Sequence, residues 1–222
     1  ATVLLIAKYL ESEKNMHEEQ LIKQLPKIDL YRHLEGVVRP HTFFELVKEK
    51  EINLPNCCLE EYMASSKLVN ENKQGLTCFK EVDKSLNNIF TDKEALVRIA
   101  AEAIEDAIQD NIKYLELRFN PFKMINHRIK WDDIIDSISQ GIAIGKRENG
   151  IEVRLICQID STLDLCLGER VINFAIRDQD KGIVGLELLG VFLPEKFVYL
   201  CKKAVNAGLG ITLYAGEAEA EN

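Results

Sequence analysis

Residues 27–40, KIDLYRHLEGVVRP, decide the fold. Positions 28–31 read as a buried β-strand that runs straight into a polar turn, His33-Leu34-Glu35-Gly36, with a helical pattern after it. A histidine and a carboxylate two residues apart, just past the carboxyl end of a strand, stand where α/β barrels place their chemistry.

Working outward, four more short apolar runs follow: 114–119 (YLELRF), 153–159 (VRLICQI), 183–189 (IVGLELL) and 211–214 (ITLY). Each comes after a helix-like stretch that ends in a turn, at Asp110-Asn111, Asn149-Gly150, Lys181-Gly182 and Gly208-Leu209-Gly210. Strands alternating with helices imply a parallel sheet with right-handed crossovers. From residue 114 the strands recur roughly every 30 residues, the length of a βαβ unit. The long gap between Gly36 and Tyr114 carries helical patterns over 42–50, 59–65, 79–88 and 92–108, which read as a helical insertion spanning 39–110. Apolar residues at Leu4, Leu5, Tyr9, Leu10, Leu21 and Ile22 suggest one or two helices within 1–26. The expected architecture is an incomplete TIM-type (β/α) barrel, about five strands of the eight that closure needs. Residues 1–222 then form one partial barrel domain. An open edge at the strand near Ile211 invites self-association or a completing partner chain, unless the sequence is a fragment of a longer product.

At 222 residues and 46% hydrophobic, the chain can bury one sizeable core. A net charge of −8 argues against binding nucleic-acid phosphates, which takes clustered Lys and Arg. The six cysteines (Cys57, Cys58, Cys78, Cys157, Cys166, Cys201) show no C-x-x-C spacing and read as reduced thiols, which indicates a cytoplasmic setting. The apolar run at 3–7 is too short to cross a membrane and has no basic flank before it, so no membrane association or signal peptide is expected. There is no G-x-x-x-x-G-K-[ST] phosphate loop, no G-x-G-x-x-G and no G-x-S-x-G elbow.

The first-strand segment closely resembles the adenosine deaminase family's Leu/Ile-His-x-His-Leu-Asp/Glu-Gly motif. Here the second histidine is His33, and Tyr31 stands at the first. Residues 211–217, ITLYAGE, resemble the family's Thr-x-His-Ala-Gly-Glu at the end of the fifth strand, with Gly216 and Glu217 matching and Tyr214 at the histidine. ELRFNP (116–121) and GLELLG (185–190) resemble the family's second- and fourth-strand segments. In the fourth segment Val191-Phe192 replaces the family's acidic pair. The helical insertion after strand one is also a family trait.

The resemblance implies zinc-dependent hydrolytic deamination of adenosine or deoxyadenosine to the inosine product and ammonia. It implies Glu217 as the acid that protonates the purine ring nitrogen, Glu35 as the ribose contact and Gly190 as the backbone approach to the purine. It places His33 as a zinc ligand and at the substrate, with Tyr31 and Tyr214 where two more imidazoles belong. Taken alone, a histidine at a strand end is more often a hydrogen-bonded structural residue than a ligand. Zinc takes three or four protein donors, and a phenol with a pKa near 10 is a poor one at neutral pH. The two tyrosines therefore read as fillers of a vacated metal site, with their hydroxyls on nearby carboxylates. The family's remaining ligand and proton-handling groups lie in later strands.

Three readings follow: a degenerate, inactive family member, a binding or regulatory half-barrel that docks on another chain, or a piece of an active deaminase. Glu116 and Arg118, charged within a strand, need partners or solvent, and an Arg–carboxylate pair inside the barrel that supports the first strand is expected. His17, His41 and His127 read as surface residues.

Overall fold

The computed structural model describes residues 18–52, 89–146, 150–160, 164–189 and 195–214. Among them the chain runs α1 (Glu18–Gln24), β1 (Lys27–His33), a 3₁₀ turn (Leu34–Gly36), α2 (Pro40–Glu49), α3 (Lys93–Gln109) and β2 (Ile112–Phe119). It continues through α4 (Pro121–Met124), α5 (Trp131–Lys146), β3 (Glu152–Asp160), α6 (Leu165–Arg177), a 3₁₀ turn (Gln179–Lys181), β4 (Ile183–Leu189), α7 (Glu195–Asn206) and β5 (Gly210–Tyr214). The five strands pair in parallel in sequence order, β1-β2-β3-β4-β5. This is an incomplete TIM-type barrel with helices inserted after β1, as the alternating apolar runs require. The expected helical patterns over 59–65 and 79–88, most of the N-terminal stretch, and Cys57, Cys58 and Cys78 lie outside the described residues.

Each strand alternates between a face turned to the helices and a face turned to the barrel interior. On β2, Leu115, Leu117 and Phe119 are fully buried against the helical layer, while Glu116 and Arg118 take the inner positions. On β3, Val153, Leu155, Cys157 and Ile159 repeat the apolar outer row. Burying each such aliphatic or aromatic side chain stabilises the fold by about 1.5–3 kcal/mol.

The outer layer is set by α3 and α5. Asp92 caps α3, its carboxylate accepting from the Ala95 amide at 3.0 Å, which satisfies one of the helix's free N-terminal donors. Leu96, Ile99, Ala100, Ala103, Ile104 and Ala107 then recur at helical spacing and are all buried. The two helices touch backbone to backbone. A Cβ on Gly141 would lie 2.5 Å from the Val97 carbonyl oxygen, and one on Gly145 would lie 2.6 Å from that of Ala101. The turns into β2 and β4 pass through left-handed backbone at Asn111 (φ 57°) and Gly182 (φ 100°), residue types suited to that region.

One expectation is corrected. Strand β1 is not buried: Ile28 is 68% exposed, Leu30 53% and Tyr31 46%. Among the described residues β1 pairs with β2 alone, so it is an edge strand and keeps the open flank of one. Hydrophobic patterning marks a strand but does not report whether a neighbour covers it.

Candidate functional site

The carboxyl ends of the strands bring five polar side chains together on the inner face: His33 from β1, Arg118 from β2, Gln158 from β3, Glu187 from β4 and Thr212 from β5. The register explains the meeting. His33 pairs with Arg118, Gln158 with Glu187, and Glu187 with Thr212 across neighbouring strands.

Glu187 is the hub. Its Oε1 accepts from Arg118 Nη1 at 2.9 Å, and its Oε2 accepts from Gln158 Nε2. Arg118 is 3% and Glu187 1% exposed, so the pair is a buried ion pair, with Arg118 Nε left without a hydrogen-bond partner. Arg118 also donates to Thr212 Oγ1 at 3.0 Å and, through Nη2, to the Leu30 carbonyl at 2.8 Å. The last contact is the expected brace on the first strand. The closest carboxylate to Arg118 is Glu187 at 2.9 Å, with Glu116 at 3.7 Å. Cross-strand distance decides this, since residues two apart on one strand stand side by side along it.

His33 sits over this hub. Its Nδ1 is 3.0 Å from Gln158 Nε2, and its Nε2 is 3.9 Å from Glu187 Oε2. Burial holds the imidazole below its ordinary value, Arg118 and Lys123 push the same way, and Glu187 pulls against them. The Tyr31 ring meets His33 edge-on at 4.9 Å and lies beneath the Arg118 guanidinium at 4.5 Å, a cation–π contact.

Glu35, in the 3₁₀ turn after β1, is buried. One carboxyl oxygen accepts the Asn120 amide at 2.7 Å, and the other has no hydrogen-bond partner. Burial pushes this carboxyl above its usual range, against the pull of the Asn120 amide and of Lys123. Burial likewise raises the Cys157 thiol, with the charge of Glu35 adding to it.

Glu217 and Gly190 lie outside the described residues, and of Tyr214 only the backbone is described, paired with Leu189. His41 and His127 are exposed, as expected of surface residues. Sequence reasoning missed Gln158, Glu187 and Thr212. The available signal was a polar residue interrupting an otherwise apolar strand run, in VRLICQI and in IVGLELL.

Comparison with known proteins places the whole arrangement. The family model described as "Adenosine deaminase" matches residues 26–222. The chain belongs to the adenosine deaminase family. The adenosine deaminase of Photorhabdus laumondii is 34% identical over 202 residues, covering 88% of this chain and 59% of that protein. The apo structure of the N6-methyl-AMP deaminase from Arabidopsis thaliana is similar at a TM-score of 0.72 and 27% identity, covering 91% of this chain and 60% of that one. An amidohydrolase from Burkholderia ambifaria, solved with bound Zn, shares the fold at a TM-score of 0.76 and 24% identity, over 92% of this chain and 57% of its own. The chain thus spans about 60% of the length of the adenosine deaminase family members it matches.

Zinc does not fit the described donors. Among the described residues no group of three or more His, Cys, Asp or Glu side chains is placed to hold a metal ion. His33 Nδ1 lies against Gln158, and each oxygen of Glu187 accepts one hydrogen bond, from Arg118 and from Gln158. What these side chains do instead is hold one another, and hold β1 to the rest of the sheet.

Proposed function

We propose that this chain is a degenerate adenosine-deaminase-family half-barrel that keeps the family's nucleoside-facing strand ends but does not, in these 222 residues, carry out the zinc-dependent hydrolytic deamination of adenosine or deoxyadenosine. The reading rests on the motif resemblance at two ligand positions. Tyr31 and Tyr214 stand where the family motifs have imidazoles, and the Tyr31 ring is packed between His33 and Arg118. A phenol, with an ordinary pKa near 10, is a poor zinc donor at neutral pH.

Within this reading, Glu217 is the residue that would protonate a purine ring nitrogen. Glu35 reaches a ribose hydroxyl, and its unpartnered carboxyl oxygen supports that role, since a buried acceptor without a partner is costly. Gly190 lets a backbone amide approach the base. His33 and Glu35 bracket the same strand end, so a purine nucleoside remains the ligand to test.

A second reading, a binding half-barrel completed by another chain, is favoured by the exposed apolar residues Ile28 and Leu30 on β1 and Leu213 on β5. Sedimentation of the purified chain separates the two. Self-association or capture of a partner supports the second, and a compact monomer that melts in one transition counts against it.

The main test is an ultraviolet assay for loss of adenosine, run on the chain as it is and after Tyr31→His with Tyr214→His. Neither is expected to turn over adenosine. Loss of positioned proton-transfer groups costs about 10²–10⁴-fold, and the family's later His and Asp are not among these 222 residues. Turnover by the unchanged chain would overturn the reading.

A further inference from the structure

We infer that Gln158 fixes His33 as a hydrogen-bond donor through Nε2, leaving neither ring nitrogen with a free lone pair for a metal. The inference rests on the reading of His33 as standing at a family ligand position, and it adds a second, separate reason why that position no longer serves.

One oxygen of Glu187 is bound by Arg118 at 2.9 Å, so Glu187 is a carboxylate in an ion pair and can only accept hydrogen bonds. The Gln158 side-chain atom against the other oxygen must therefore be the amide nitrogen. That nitrogen carries two hydrogens. One goes to Glu187, and the second points to the other neighbour in reach, His33 Nδ1, at 3.0 Å. Nδ1 is then the acceptor, and a neutral imidazole that accepts at Nδ1 carries its proton on Nε2.

The surroundings of Nε2 agree. It faces Glu187 Oε2 at 3.9 Å, where a proton is attracted and a lone pair is repelled. Turning the amide over would set its oxygen against the carboxylate, acceptor against acceptor, at a site where both Gln158 and Glu187 are buried. Metal-bound histidines are oriented the opposite way: the second ring nitrogen donates its hydrogen to an acceptor, leaving the first free for the ion. Gln158 presents a donor where that arrangement needs an acceptor. It is a positioning residue, acting on whatever His33 meets at the strand end.

The test is histidine-selective ¹⁵N NMR of the 222-residue chain at pH 8, with the His33 signals identified by their loss in His33→Gln. The expected pattern is an unprotonated Nδ1 and a protonated Nε2, unmoved by added zinc. In Gln158→Glu, which supplies an acceptor, the proton should move to Nδ1. In the Tyr31→His, Tyr214→His background, Gln158→Leu should tighten zinc binding about 10–100-fold over the double variant, the usual size of such supporting contacts. A protonated Nδ1 in the unaltered chain, or His33 signals that shift when zinc is added, would overturn the inference even if the substituted chains failed to fold. Zinc held by the unaltered chain with the His33 signals unmoved would support the tautomer while contradicting the proposed function, so the two fail separately.

Discussion

The two faces of the same sheet are built by different rules. On the helix side, Leu115, Leu117, Phe119, Val153, Leu155 and Cys157 form an apolar wall with no side-chain hydrogen bond to make. On the inner side, His33, Arg118, Gln158, Glu187 and Thr212 form a network in which each member depends on the next. The outer wall tolerates loss in proportion to the volume removed, because dispersion and burial add up contact by contact. The inner network does not, because removing Arg118, Gln158 or Glu187 leaves a charge or a donor unpaired among buried groups. The family's chemistry belongs to the inner face, and there this chain has turned its groups toward one another.

The largest expected effect is therefore on the inner face. Replacing either Arg118 by Met or Glu187 by Leu should lower stability by about 3–5 kcal/mol, since each leaves its partner charged and buried. The paired change should cost clearly less than the sum of the two, as urea titrations of all three variants would measure. Additive losses would mean that the two side chains do not form one unit.

On the outer face, Leu117→Ala should cost about 2–5 kcal/mol by opening a cavity. It should leave the His33 NMR signals where they are, because Leu117 stands on the opposite face of β2 from Arg118. Movement of those signals would show that the faces are coupled through the strand.

A smaller effect is expected at Glu35. Burial holds its carboxyl above the ordinary value of 4.5, so the folded chain binds the proton more tightly than the unfolded one. The stability this group contributes is full below that value and is lost as pH rises through the raised one. Glu35→Gln cannot ionise, so its stability relative to the unaltered chain should improve between pH 4.5 and pH 8. Thermal melts at the two pH values would check the direction.

Much of the fold was legible because a parallel barrel writes its strands as apolar runs punctuated by Gly and Asn turns. The 183–189 run coincides with β4 (Ile183–Leu189), and the 92–108 pattern with α3 (Lys93–Gln109) and its Asp92 cap. Burial of β1 was not legible, because Ile28 and Leu30 look the same in sequence whether or not another layer covers them. At the site, His33 and Glu35 stood out through their motif. Gln158 and Glu187 were visible only as polar interruptions in apolar strands, and which residues they would face depended on the register between strands far apart in sequence. The Arg–carboxylate pair bracing the first strand was legible in ELRFNP, but its carboxylate, Glu187, comes from a strand far away in sequence. Glu217 and Gly190 rest on motif alone.

The central claim is that the groups at this strand end are committed to one another and not to a metal. Elemental analysis of the purified chain after dialysis against dilute zinc tests it most directly. The account predicts far less than one zinc per chain; close to one tightly held zinc per chain would contradict it.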